Sequence, residues 1–472
     1  MTSEWPTVQL SDCAEFQEGY VNPSQRNSDF FDGPIKWLRA VDLNDSVVSD
    51  TTRTLSEKGF RSAGKSALLF EPGSLAISKS GTIGRLGILE DYMCGNRAVI
   101  NIRVNHGICD KHYIFYVLKS KRAEIESLAT GSVQKNLYTS VLGSMELDLP
   151  PLETQKAIAS QLWSLDKKIQ LNHQINQTLE QMAQAIFKSW FVDFEPVKAK
   201  IAALEAGGSE EDALLAAMQA ISGKGEAELT RLQTEQPEQY AELRATAELF
   251  PSAMQESELG EIPAGWSVSP ISDFGRIVCG KTPSKQKSEF YGGHIPFIKI
   301  PDMHGNMFAT TTSDHLSPMG AASQPKKAIP KGSVCVSCIA TVGQVVIATE
   351  ESHTNQQINS IIPFEDNYTA YLYFRMESLY EHLHDLASGG SATLNLNTGS
   401  FSRIQILMPS DSILAGYAKS CTALLDRILC NMRESQSLSI LRDTLLPKLL
   451  SGELSVPDVE DQLAEDAEPA NV

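Results

Sequence analysis

No stretch of the chain approaches the roughly 20 consecutive apolar residues of a membrane span, and the opening Met1-Thr2-Ser3-Glu4-Trp5 lacks a basic then apolar signal pattern. These absences exclude a membrane protein and point to a cytoplasmic one. Cysteine is scarce, with 8 scattered through 472 residues, which argues against a disulfide framework and fits reduced thiols. In Cys335-Val336-Ser337-Cys338, the one close pair, a zinc site would need two more ligands nearby, so the reading is a strand whose thiols face opposite sides. A surplus of positive charge is also missing. The formal net charge of -18 argues at first against a nucleic-acid partner. Its distribution weakens that objection, because residues 195–262 carry a net -9 and residues 453–472 a net -7. What remains is near neutral and leaves room for a basic face.

Catalytic constellations are lacking as well. An amino-methylating enzyme would need Asn or Asp before Pro-Pro and an aromatic after it, whereas Pro150-Pro151 lies between Leu149 and Leu152. Gly59-Phe60-Arg61-Ser62-Ala63-Gly64-Lys65-Ser66 matches the phosphate-loop pattern by letter. A working phosphate loop follows a buried strand and opens a helix. Here residues 49–58 are polar and Pro72-Gly73 cuts off any following helix, so the segment reads as a surface loop. Histidines 294, 304, 315, 353, 382 and 384 cluster in the second half with no matching set in the first. The chain reads as having no catalytic residues, no metal site and no cofactor of its own.

What the chain does have is an internal repeat. Gly73-Ser74, Ser78, Thr82 and Gly84 recur as Gly332-Ser333, Ser337, Thr341 and Gly343 at a constant offset of 259. Trp5 with Trp266, Gly19 with Gly280, Asp42 with Asp302, Asn96 with Asn355 and Asn136 with Asn395 extend it at offsets of 259 to 261. Short apolar runs such as residues 74–78 and 98–102, punctuated by Gly, Pro and Asn, predict strand-rich domains over 1–151 and 263–410. A helix is expected over 111–128.

After Pro150-Pro151 the period shifts from two to three and a half. Ile158, Leu162, Leu165, Ile169, Asn172, Asn176, Leu179, Ala183, Ile186 and Trp190 keep coiled-coil spacing. Tyr417, Cys421, Leu424, Ile428, Asn431, Ser435, Leu438, Arg442, Leu445 and Leu449 repeat it 259 residues later. Two long helices are expected over 152–195 and 411–455, each about 60 Å long at 1.5 Å per residue, with a kink at Pro447. Asn172 and Asn431 share one heptad position, where a buried amide fixes register because only a matching partner satisfies it. Phe187, Trp190 and Phe191 add apolar surface beyond the seam, suited to covering the flanking domain or to docking another protein's helices. Residues 196–262 read as an acidic helical connector, with a capping box at Ser209-Glu210-Glu211-Asp212 and a stop at Gly223. The tail from 456 reads as disordered.

Both copies also keep polar and basic loops. The first holds Lys79, Ser80, Thr82, Arg85, Asn96, Arg97, Gln134, Lys135 and Asn136, and the second Lys281, Thr282, Lys285, Thr341, Gln344, Gln356, Gln357, Thr393 and Asn395. Asn and Gln can read adenine edges, Arg and Lys guanine, and Lys or Ser can hold phosphate. Any one such loop alone reads as an ordinary solvated turn.

The chain resembles the specificity subunit of type I restriction-modification systems. The residues that carry the likeness are Gly280-Lys281-Thr282-Pro283-Ser284 with Tyr291-Gly292-Gly293-His294-Ile295-Pro296-Phe297, Leu149-Pro150-Pro151-Leu152 with Gln155, Trp190-Phe191-Val192-Asp193-Phe194, and Leu445-Leu446-Pro447-Lys448-Leu449-Leu450-Ser451-Gly452. The resemblance implies a non-catalytic α/β (α+β) protein: two tandem target-recognition domains, separated by two long antiparallel coiled-coil helices in a pseudo-two-fold arrangement. Each domain would read half of a bipartite duplex site. The helices would recruit two methyltransferase subunits, and restriction subunits would join them. S-adenosylmethionine, ATP and magnesium are then expected on the partner subunits. It also lifts the loop residues above to DNA contacts, and Leu165, Ile169, Asn172, Leu179, Ile186, Phe187, Trp190, Phe191, Leu424, Ile428, Asn431, Leu438, Leu445 and Leu449 to seam or docking positions. Departures from the repeat, Lys79 against Cys338 and Arg97 against Gln356, imply different base preferences in the two halves. Two other readings stay open: a self-sufficient DNA-modifying enzyme with repeated substrate domains, and a coiled-coil scaffold that binds no DNA.

Overall fold

A computed structural model describes residues 5–130, 135–388 and 394–457. They form two units, residues 1–171 with 434–472 (unit 1) and residues 172–433 (unit 2).

The repeat in sequence is a repeat in strand order. In unit 1 a five-stranded sheet runs Ala14–Glu18, Val99–Val104, Leu75–Ser78, Leu86–Leu89, Ser46–Val48, antiparallel except for its last pair. Unit 2 gives the same order with Gly275–Cys279, Ile358–Pro363, Val334–Ser337, Val345–Ala348 and Phe308–Ala309. The registers match too: Val99 lies opposite Ser78, and Ile358 opposite Ser337. The two central strands, Leu75–Ser78 and Val334–Ser337, are buried throughout because both their faces are covered. Leu75 and Ile77 pack with Tyr113, Phe115 and Tyr116, while Ala76 faces Leu38, Phe70 and Val99. Cys335 and Cys338 accordingly fall in separate core clusters, the first with Ile298 and Met303 and the second with Val336 and Tyr371.

Several repeated residues turn out to have backbone duties. The Ser78 hydroxyl donates to Thr82 O (2.5 Å) and accepts from Arg85 N (2.9 Å), and Ser337 accepts from Gln344 N (2.9 Å). Each turn closes on a glycine with positive φ, Gly84 at 83° and Gly343 at 89°. Gly19 and Gly280 allow close strand approach, since a Cβ there would sit 2.2 Å from the carbonyl oxygens of Asn96 and Asn355.

Residues 111–128 form two helices instead of one, Lys111–Ser120 and Arg122–Leu128. The break at Lys121 lets Arg122 reach Gly84 O (3.1 Å) and Asp45 while Ile125 stays buried.

Each long helix has 40 residues, Leu152–Phe191 and Asp411–Leu450, and Pro447 lies in the last turn of the second without ending it. The two units each bury a part of both. In unit 1, Ile158 and Leu162 pack with Leu445, Leu446 and Leu449, and Leu165 lies against the same core. An ion pair crosses there: Arg442 Nη1 donates to Asp166 Oδ1 (2.5 Å), whose other oxygen accepts from Tyr116 OH (2.6 Å). The corresponding contact in unit 2 is between amides. Asn431 Nδ2 donates to Asn176 Oδ1 (2.8 Å), and Asn172 Nδ2 to Asn431 O (3.4 Å). Asn172 and Asn431 are both buried, but Asn431's amide partner is Asn176, one turn beyond the residue expected from heptad equivalence. The other expected seam residues, Ile169, Leu179, Ile186, Leu424, Ile428 and Leu438, are buried or half-buried.

Of the two roles expected for Phe187, Trp190 and Phe191, the structure gives them the first, that of covering a domain. They are 2 %, 1 % and 1 % exposed, inside the core of unit 2 with Tyr371, Tyr417, Phe250 and Trp266, so they hold the end of the helix in that core. The connector is helical only in part. Glu195–Glu205, Glu210–Ser222, Glu226–Glu235 and Pro237–Glu248 are followed by a hairpin of Met254–Ser257 and Gly260–Pro263. Ser209 and Asp212 cap one another and Gly223 closes that helix at φ 66°. Most of the acidic tail, 458–472, lies outside the described residues.

One buried polar group predicts a pH effect. Tyr373 OH lies 3.2 Å from Glu180 Oε1 and 3.1 Å from Glu377 Oε1 in unit 2. Burial, and then the charge of Glu180, push the Glu377 carboxyl up from the ordinary 4.5 to about 7. The folded state therefore holds this proton more tightly than the unfolded chain, so stability falls as pH rises from about 4.5 to about 7 and the full cost remains above that. Glu377→Gln should raise stability by about 1–2 kcal/mol at pH 8 and by nothing measurable at pH 4. Urea unfolding at the two pH values checks this, and an equal gain at both would be contrary to it.

Candidate nucleic-acid interface

Each five-stranded sheet is accompanied by a smaller one, of four strands in unit 1 and three in unit 2, and in unit 2 the ends of the smaller sheet border a polar cleft. In unit 2 the strand Tyr291–Ile298 pairs with Asp314–Leu316 and His353–Thr354. Around it Thr282, Lys285, Tyr291, Lys299, Asp314 and Gln356 line an opening of about 320 Å³. Thr282 Oγ1 donates to Gln356 Oε1 (2.6 Å), and Lys299 Nζ to Asp314 Oδ2 (2.7 Å). Burial, followed by the charge of Asp314, raises the Tyr291 phenol, which stays a donor to Pro283 O (2.7 Å).

The loop carrying Gln356 is built by its neighbour. Asn355 N donates to Ile298 O (3.2 Å), and Asn355 Oδ1 accepts from Gln357 N (3.0 Å), which turns the exposed Gln356 outward. Gln357 Oε1 accepts from Asn355 Nδ2 (3.0 Å). Unit 1 repeats the device: Asn96 N donates to Leu38 O (3.0 Å), Asn96 Oδ1 accepts from Ala98 N (2.9 Å), and Arg97 is left exposed. Asn96 therefore shapes the loop, and the residue it presents is Arg97.

A second element meets this loop in each unit. Ser80 bridges Asn136, and Ile339 bridges Asn395, at the same offset of 259. Lys79 O accepts from Leu137 N (2.9 Å), as Cys338 O does from Leu396 N (2.8 Å). Lys79 Nζ is also paired with Glu18 Oε2 (2.9 Å). The structure so gathers Lys79, Ser80, Asn96, Arg97 and Asn136 in unit 1, with Lys135 exposed beside them. In unit 2 it gathers Thr282, Lys285, Gln356 and Gln357, with Lys281 N bonded to Thr354 O (2.9 Å). Thr82 and Arg85, like Thr341 and Gln344, belong instead to the turns closed by Ser78 and Ser337. Gln134 and Thr393 lie outside the described residues.

Residues that the loop patterns did not reveal complete the unit 2 cleft and have equivalents in unit 1. Lys299 corresponds to Arg39, because Asp302 Oδ2 accepts from Lys299 N (2.9 Å) as Asp42 Oδ2 accepts from Arg39 N (2.8 Å). Asp314 corresponds to Arg53, and Lys285 to Gln25, at offsets of 261 and 260. A signal existed: the repeated Asp42 and Asp302 each follow a cation by three residues.

No cluster of three or more His, Cys, Asp or Glu is placed to hold a metal among the described residues. The phosphate-loop match is no surface loop but a short helix, Glu57–Arg61, followed by a single turn, Gly64–Ser66. Its amides are already bonded, Ser66 N to Ala63 O (3.1 Å) and Ala67 N to Gly64 O (3.1 Å). No helix among the described residues is long and apolar enough to cross a membrane.

Residues 2–181 and 263–414 match the family described as type I restriction modification DNA specificity domain, once in each half. Among curated relatives, the type I restriction enzyme HindI specificity subunit of Haemophilus influenzae is 48 % identical over 378 residues, 78 % of this chain and 82 % of the relative. The MjaIX specificity subunit of Methanocaldococcus jannaschii is 23 % identical over 479 residues, covering 97 % and 95 %. The crystal structure of a type I restriction-modification S subunit from M. genitalium shares the fold, with a TM-score of 0.51 at 14 % identity over 94 % of this chain and 96 % of that one.

Proposed function

The chain belongs to the family of type I restriction-modification DNA specificity subunits, non-catalytic components that supply sequence specificity, and from that premise we propose how its parts divide the work. Unit 1 reads one half of a bipartite duplex site and unit 2 the other, each through its polar cleft. The long helices carry the surface on which two methyltransferase subunits assemble, and restriction subunits join that core. S-adenosylmethionine, ATP and magnesium bind on those partners.

The observation that carries this reading is the duplication of the frame that borders the unit 2 cleft. The same strand order, the same Asn-held loop and the same bridge recur in both units, while the residues presented differ: Arg97 against Gln356, Arg39 against Lys299, Arg53 against Asp314. A shared frame with exchanged polar groups suits two related sites of different sequence. An enzyme with repeated substrate domains is not favoured. Its Pro150-Pro151 step is a helix start, where the buried Gln155 donates to Pro150 O (2.8 Å) and accepts from Asp110 N (2.9 Å).

Reconstitution with the cognate methyltransferase subunits tests the proposal. The complex should methylate adenine at one bipartite sequence and bind that duplex with an affinity that falls steeply with salt. The chain alone should not bind S-adenosylmethionine, and Lys65→Ala in the full complex should leave methylation and restriction at wild-type levels. Cofactor binding by the chain alone, or salt-insensitive association with any duplex, would count against it.

A further inference from the structure

Equivalent positions in the two units differ in charge at one point, where Asp314 of unit 2 stands in place of Arg53 of unit 1, while Lys299 stands in place of Arg39. In unit 2 the Lys299 ammonium is bonded to Asp314 at 2.7 Å, so that cation is compensated, and beside it the Thr282 hydroxyl donates to the Gln356 amide oxygen, with Lys285 as the other cation of the cleft. In unit 1 both positions are arginine. Arg53 Nη1 donates to Gln25 Oε1 (2.5 Å), and its guanidinium lies 4.0 Å above the Phe31 ring. Arg39 Nη2 donates to Thr52 Oγ1, with its guanidinium 5.3 Å from the Trp37 ring. Asp42 lies 3.8 Å from Arg39 Nε, but its oxygens already accept from Arg39 N, Thr52 N and Thr52 Oγ1.

We infer that Arg39 and Arg53 read guanine in the half-site taken by unit 1. The inference rests on the reading of the clefts as DNA contacts and adds the base. A guanidinium is a planar fork whose two parallel N–H groups match O6 and N7 of guanine in the major groove. That match depends on orientation. Here each fork is laid beside an aromatic ring and tied at one edge to a neutral oxygen, which fixes its plane and leaves other N–H groups for a base edge. A phosphate contact, which a flexible cation makes from many directions, needs no such fixing. Lysine at position 299 has no fork, and its charge is committed to Asp314.

The experiment uses the assembled complex. Adenine modification is first mapped for the wild type and for a chimera with residues 1–150 exchanged, which assigns the half-site of unit 1. Duplexes are then made with 7-deazaguanine in place of each guanine of that half-site, which removes N7 and keeps base pairing. Wild-type affinity should fall about 5- to 150-fold for each guanine read by a fork. The double variant Arg39→Lys, Arg53→Lys should bind the normal duplex more weakly and show little further loss on the 7-deazaguanine duplex. A unit 1 half-site without guanine, an unchanged wild-type affinity on the modified duplex, or an equal further loss in the variant would each overturn the assignment. The wild-type arm decides even if the variant misfolds. If no half-site follows residues 1–150 in the chimera, the division of reading between units fails, and the guanine assignment falls with it.

Discussion

Exchange of residues 1–150 for the matching stretch of a relative will replace one half of the methylated sequence and leave the other half, and the gap between them, unchanged. The expected effect is all or none. Every residue of the unit 1 cleft, from Gln25 through Arg97 to Asn136, lies inside the exchanged stretch, and every residue of the unit 2 cleft lies outside it. The cut crosses the core of unit 1, where Ile158, Leu162, Leu445, Leu446 and Leu449 pack against the exchanged stretch, and several polar contacts cross it too. Tyr116 OH bonds Asp166, Lys119 Nζ lies 3.8 Å from the same carboxylate, and Asp110 N donates to Gln155. A donor sequence that keeps a tyrosine and a lysine at positions 116 and 119 and a free backbone N–H at position 110 should fold with this chain's helices. One that lacks the tyrosine leaves Asp166 short of a hydrogen-bond donor and should lose stability before it changes specificity. Sequencing of modified adenines in host DNA reads the result, and a change in both half-sites together would be incompatible with one unit per half.

Trp190→Ala should cost about 3–5 kcal/mol, the loss expected for removing a buried aromatic from a close-packed core. The indole is 1 % exposed and meets Phe250 edge-on at 4.9 Å, Tyr417 at 5.9 Å and Phe191 at 6.2 Å. Those contacts join the end of the first long helix to the start of the second and to the part of the connector between its last helix and its hairpin. Loosening them should expose unit 2 to protease while the tryptophans of unit 1, Trp37 among them, keep their protected environment. Denaturant unfolding and limited proteolysis measure the two effects. A loss under about 1 kcal/mol would mean that this aromatic cluster is incidental to the unit.

The sequence carried the two strand-rich domains and the long heptad segments because their signals are local and periodic. Runs such as residues 74–78 stay apolar through every position, as strands covered on both faces do. It was weaker where long-range geometry decides. Residues 111–128 keep one helical period, yet Arg122 leaves it to reach Gly84 and Asp45, a contact across 38 and 77 positions that no window spans. Asn431 meets its heptad equivalent Asn172 through its carbonyl oxygen and Asn176 through its amide, a division that residue spacing does not contain. Phe187, Trp190 and Phe191 read equally as core or as docking surface, since hydrophobicity does not say what covers it. The polar loops were visible as loops, and so Lys79, Arg97, Thr282 and Gln356 could be singled out from the sequence. Arg39, Arg53, Lys299 and Asp314 sit at strand ends, 14 or 15 residues apart within each pair, and meet only because the strands pair. Their exchange of charge is legible once the registers of the two units are aligned.

Unit 1 is sewn from both ends of the chain: Leu445, Leu446 and Leu449 complete a core that begins at Leu10. On the ribosome this imposes an order. Unit 2 is continuous, from 172 to 433, and has all its residues before unit 1 has its own. For the time it takes to make some 280 residues, at roughly 5–20 per second, the first-made domain waits with its side of that core uncovered. The part of the protein synthesised first is therefore the last to be finished, and a ribosome that stops shortly after Arg433 releases a chain whose damage lies at its beginning.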